Sequence, residues 1–195
     1  MINHRMTFVL AITLMLTALL GGCAKPPTEE MENAEAALTR AENDPDAVAY
    51  GNASIIRARD ALANMHTEAA AKRYDAAKSY AQDVINAAER AIADGKTGSQ
   101  RAREEASASL NGARASLGET QRNIDAAKEV TGIQLDFNGI DGDYAAARNQ
   151  TDQAQNALNA ADYKGSLERS QSARSLLGDI NARISQASIA TSQKK

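Results

Sequence analysis

Two histidines and one cysteine are all the imidazole and thiol chemistry this chain holds: His4, His66 and Cys23. His66 sits in "MHTE", on an alanine-rich helical stretch. A metal ligand there would want a second histidine or a carboxylate one turn on. Ala69 and Ala70 occupy those places, and Glu68, two residues along, faces elsewhere. His66 therefore reads as a solvent-facing helix residue. The serines lie in helices or turns without a nucleophile elbow, and only His66 could serve them as a base. Carboxylates are plentiful but interleaved with arginine, as in "RAREE" at Arg101–Glu105, a pattern that solvates a helix face. "DFNGIDGD" gathers Asp136, Asn138, Asp141 and Asp143, oxygen ligands of the kind calcium takes. The order of a calcium-binding loop is not met, because Ile140 and Asp141 stand where an acid and a glycine belong. Turns and helix capping account for these residues more simply. No catalytic, metal or cofactor set emerges, and the chain is expected not to be an enzyme.

The surroundings of Cys23 are more informative. Met1–Arg5 carry one positive charge, and Phe8–Leu20, "FVLAITLMLTALL", is an apolar run of signal-peptide length. It is too short for a comfortable membrane span of roughly 20 residues. Leu20-Gly21-Gly22-Cys23 then resembles the bacterial lipobox, a leucine and two small residues before a cysteine. The resemblance implies that residues 1–22 are a cleaved signal peptide and that Cys23 is acylated. It also implies a lipidated tether over 23–27. Each buried methylene contributes about 0.8 kcal/mol, so two or more acyl chains anchor stably where one does not. Ala24, rather than aspartate, comes next, which resembles the pattern for transfer to an outer membrane. The expected location is the bacterial cell envelope, lipid-anchored.

Only Arg5 among the 22 basic residues precedes Cys23, so the chain from Cys23 onward is slightly more acidic than the net −3 of the whole. That balance argues against nucleic acid, whose binding needs clustered lysine and arginine. With no second cysteine there is no disulfide framework. Alanine is the commonest residue, tryptophan is absent, and Phe137 is the only phenylalanine after Cys23. Alanine favours helix but buries little area, so an all-α fold with close helix packing and a thin core is expected. Self-association into a homo-oligomer would add burial.

Residues 28–190 read as one alanine-rich helical domain of antiparallel hairpins or a bundle, with a flexible tail over 191–195. Thr28 is the expected N-cap of a first helix running to about Asn43, with Met31, Ala34, Leu38 and Ala41 on one stripe. Asp44-Pro45-Asp46 breaks it. A second helix starts near Asn52 with Ile55, Ala58, Leu62, Met65 and Ala69 spaced by threes and fours, and a third carries Tyr74, Ala77, Ala81, Val84, Ala88 and Ala91. The step of five between Ala69 and Tyr74 places a turn at "AAAKRYD". "DGKTGS", Asp94–Ser99, reads as a stronger turn; as a phosphate loop its spacing is wrong and no strand precedes it. A long helix, about Ser99 to Val130, then carries a heptad-like seam of Ala106, Leu110, Ala113, Leu117, Thr120, Ile124 and Ala127. Thr131–Asp143 is expected to be an irregular loop, its apolar side chains covering a bundle end and Asp143 capping the next helix. Helices near 144–161 and 164–190 complete the chain.

A shift of 89 residues lays Arg59 on Arg148, Ala71 on Ala160 and Tyr74 on Tyr163. "AAKRYDAAKSYA" and "AADYKGS" resemble the middle of tetratricopeptide hairpins, where small residues allow close crossing. "AEAALTRAENDPDAVAY", "RARDALANM" and "KRYDAAKSYAQDVINAAERA" resemble an uncharacterised family of helical bacterial lipoproteins, over most of the chain after Cys23. That family's function is unknown. The missing catalytic set and the lipobox-like Cys23 together lead to the expectation of a non-catalytic envelope protein whose partners are the membrane, through Cys23, and other envelope proteins. The terminal Lys195 is similar in place to the lysine that murein lipoproteins join to peptidoglycan, which would make the chain a link between membrane and cell wall. A ligand- or ion-binding lipoprotein is the remaining alternative.

Overall fold

Apolar side chains recurring every three and four residues demand helices, and the short alanine side chain demands that they pack closely. The computed structural model, which describes residues 25–193, is all-helical as expected, with no strand among the described residues. Among the described residues six helices run in order: α1 Thr28–Glu42, α2 Pro45–Tyr50, α3 Asn52–Ala70, α4 Tyr74–Lys128, α5 Phe137–Asn159 and α6 Tyr163–Ser192. The chain divides into two compact units between Gly95 and Lys96. No helix among the described residues is long and apolar enough to cross a membrane.

In the first unit, α1, α3 and the start of α4 pack Ala34, Leu38, Ile55, Ala58, Met65 and Val84 into one core. Polar contacts between side chains of different helices report the directions of the helices. Glu42 meets Arg59 at 2.7 Å and Glu35 lies 3.4 Å from His66, as an α1 antiparallel to α3 requires, and Glu30 meets Lys78 of α4 at 2.7 Å. In the second unit, Ile124, Ile140, Ala147, Leu177 and Ile180 join α4, α5 and α6 in the same way.

The hairpin at 71–73 lies where the broken stripe places it. Its connection is a Schellman turn: Arg73 N donates to Glu68 O at 2.9 Å and Lys72 N to Ala69 O at 3.0 Å. Lys72 takes φ +59°, a conformation that usually calls for glycine. The hairpin between α5 and α6 repeats it at 89 residues' distance: Asp162 N donates to Ala157 O, Ala161 N to Leu158 O, and Ala161 also takes φ +59°. A left-handed backbone costs an L-residue about 1–2 kcal/mol. Glycine forfeits part of that gain through unfolded-state entropy. Ala161→Gly is therefore expected to raise unfolding stability by about 0.5–1 kcal/mol in urea denaturation, and Ala161→Val to lower it.

The same shift carries the cores onto each other. Ala58, Met65, Ala77, Ala81, Val84, Ala88 and Ala91 correspond to Ala147, Ala154, Ser166, Ser170, Ala173, Leu177 and Ile180, and all of them are buried. Large side chains trade helices: Met65 on α3 is matched by alanine on α5, while Leu177 and Ile180 on α6 replace alanines of α4. A cross-helix polar contact recurs too. Ser54 Oγ donates to Asp94 at 3.2 Å in the first unit, and at the equivalent pair Arg183 donates to Asp143. The faint repeat in the sequence is thus a repeat of structure.

Four expectations are corrected. "DGKTGS" is not a turn: α4 passes through it without interruption, so the helix expected from Ser99 begins at Tyr74. Gly95 serves packing instead, since a Cβ there would lie 2.5 Å from Ala47 N and 2.6 Å from its Cα. Thr28 is not the N-cap of α1; Pro27 holds that place, and its carbonyl accepts from Met31 N at 3.0 Å. The break at Asp44-Pro45 is present but opens a short helix, α2, with Asp44 accepting from Ala47 N and proline in its first turn. The irregular loop near 131–143 is shorter than expected. Helix α5 already starts at Phe137, and Asp136, not Asp143, caps it by accepting from Gly139 N at 3.0 Å. Ile133, Leu135 and Phe137 do pack over the core of the second unit, as expected.

Candidate functional site

Cys23, the signal peptide and Lys195 lie outside the described residues. The nearest described structure is the start of α1, five residues beyond Cys23, where Pro27 is buried and Lys25 and Pro26 are exposed. At no more than about 3.5 Å per residue, that spacing holds the first helix within roughly 20 Å of residue 23.

His66 is about half exposed on α3, as its helical setting implies. Its neighbour is Glu35 of α1, a cross-helix contact that spacing within one helix could not reveal. Glu68 turns away to Arg73 at the hairpin tip. The hydrogen bond from Arg73 holds the Glu68 carboxyl below the usual carboxylate range, and the hydrogen bond from Lys78 does the same for Glu30. Both carboxyls therefore favour the fold at neutral pH, and that contribution falls away as acid titrates them.

The oxygen ligands of "DFNGIDGD" are dispersed along a helix rather than gathered. Asp136 caps α5, Asp141 meets Lys128 at 3.2 Å, and Asp143 meets Arg183. Lys128 also lies 5.8 Å from the Phe137 ring centre. Among the described residues no group of three or more histidines, cysteines or acids is placed to hold a metal ion.

Sequence reasoning missed a polar seam between α4 and α6. Asn123 Nδ2 donates to Asn181 Oδ1 at 2.9 Å, and Asn181 Nδ2 donates to Thr120 Oγ1 at 2.8 Å. Thr120 is fully buried on what reads as an apolar heptad seam. Buried polar groups that satisfy one another fix a unique packing. Its only trace in the sequence is a threonine in the seam; the partner lies sixty-one residues away.

Three apolar side chains of the first unit are left exposed. Val48 on α2 and Ile56 on α3 are 51% and 49% exposed, with Tyr50 at 41%. No curated protein and no solved structure matches the chain. Residues 29–107, which contain α1, α2, α3 and the first part of α4, match the family described as Domain of unknown function (DUF4398), so the uncharacterised-family resemblance holds for this segment, a narrower stretch than the sequence suggested.

Proposed function

We propose that this chain is a lipid-anchored, non-catalytic scaffold of the bacterial cell envelope, with the outer membrane as its expected home. Acylated Cys23 holds it to the bilayer, and its helical units present surfaces to other envelope proteins. The observation that carries this reading is Leu20-Gly21-Gly22-Cys23 at the end of an apolar run. Helix α1 starts only five residues later. Confinement to a surface raises the effective concentration of partners held on the same membrane. The exposed Val48, Tyr50 and Ile56 suit a protein contact better than a lipid one: they lie past the end of α1 that is remote from the tether. The tetratricopeptide-like hairpins fit the same role.

Metabolic labelling with palmitate tests the anchor. The wild-type chain is expected to take up label, whereas Cys23→Ala takes up none and migrates with its leader uncut. Crosslinking in intact cells tests the scaffold role. Partners crosslinked to wild type should be lost from a version exported with a conventional cleavable leader and beginning at Ala24. Recovery of no envelope partner by the labelled, anchored chain contradicts a scaffold.

A further inference from the structure

The second unit carries a groove between α4 and α6 that its fold does not require. It is an open depression of about 390 Å³ lined by Ser116, Gln171, Arg174, Ser175, Gly178 and Asn181, above the buried Leu177. That volume lies within the range of small-molecule sites. The internal repeat supplies the comparison that shows the groove is optional. At the 89-residue shift, Arg174, Gly178 and Asn181 correspond to Ile85, Glu89 and Ile92 of α4. Ile85 and Ile92 pack onto the core of the first unit. Two of these three positions are thus apolar and packed against the core in one copy and polar in the other, while Glu89, like Gly178, is exposed.

Each difference favours a ligand over packing. Nothing lies within 4 Å of where a Gly178 Cβ would stand, so this glycine relieves no crowding, and it weakens its helix. Arg174 lies alongside Gly112 and, among the described residues, makes no ion pair. Asn181 is held in place by Thr120 and Asn123, so its carboxamide is fixed before anything binds. The lining contains one guanidinium, two carboxamides and two hydroxyls, and no acid.

We propose that this groove binds a small, hydroxyl-rich carboxylate, an acidic saccharide in chemical class. The guanidinium of Arg174 takes the carboxylate through paired, charge-assisted hydrogen bonds. Gln171, Asn181, Ser116 and Ser175 meet hydroxyl groups. The site stands independently of lipidation at Cys23.

Titrating the ¹⁵N-labelled full chain, kept soluble in detergent, with glucuronate tests the site, with glucose as the uncharged control. Saturable shifts are expected in amides of 112–120 and 171–181, with glucose weaker by about tenfold or more. Arg174→Ile and Gly178→Glu, which install the first unit's residues, should each weaken glucuronate by about tenfold or more while leaving the other amide signals in place. Arg174→Lys should retain part of the affinity. The proposal is overturned if glucuronate gives no saturable shift up to about 50 mM, if glucose binds equally, or if both exchanges leave the affinity unchanged.

Discussion

Gly95→Ala is expected to destabilise the first unit by about 2–3 kcal/mol, although the same exchange inside an ordinary helix stabilises by about 1 kcal/mol. The inversion comes from contact between backbones. A methyl group at Gly95 would stand 2.5–2.6 Å from N and Cα of Ala47, and the backbone of α2 has no side chain to swing aside. Gly51 makes the reciprocal approach, its Cβ position overlapping the Ala91 carbonyl. Helix α2 is therefore seated on α4 through two glycines, and Ala47 is fully buried between them. Gly142→Ala is the control. That residue lies inside α5 with nothing within 4 Å of its Cβ position. The exchange should raise stability by about 1 kcal/mol. Urea unfolding gives both signs, and hydrogen exchange of α2 and α3 amides assigns the Gly95 effect to the first unit.

The double exchange Ser166→Ala/Ser170→Ala is expected to stabilise the second unit by about 1–3 kcal/mol. Both hydroxyls are fully buried and lack a hydrogen-bond partner among the described residues. An unsatisfied buried hydroxyl costs about 1–3 kcal/mol, and alanine is also the better helix former. The internal repeat has already made the substitution: Ala77 and Ala81 fill the equivalent places, both buried. Volume sets the limit. Ser170→Val should lose about 1–3 kcal/mol by forcing apart helices that meet on small residues. Thermal unfolding of both variants beside wild type checks the ordering, and a double variant less stable than wild type would contradict it.

What was legible in the sequence came from periodicity. The stripe of Ile55, Ala58 and Met65, and that of Ala173, Leu177 and Ile180, are buried because steps of three and four put them on one face. The turn at Lys72 was legible without glycine or proline, because a step of five moves the apolar face out of line. Features decided by tertiary contact were not legible. "DGKTGS" carries the local marks of a turn, yet Gly95 answers to the passage of Ala47, forty-eight residues upstream. Asp136, Asn138, Asp141 and Asp143 are all adequate caps by type, and local chemistry could not rank them. Asp136 wins because Ile140 must already be helical to reach the core it shares with Ile180. The polar groove was illegible for a related reason: its walls come from α4 and α6, and its meaning emerges only when α6 is laid on the first half of α4. The hairpin repeat was visible as a handful of identities, while its cause, the paired left-handed turns and matching buried registers, needed the backbone.

Lipid attachment is the claim from which the envelope setting and the partner class both derive. Intact-mass measurement on protein purified from its native cells tests it most directly. The expected species begins at Cys23 and carries the added mass of two or three fatty acyl chains. A polypeptide beginning at Met1, or one beginning at Cys23 with no acyl mass, would contradict it.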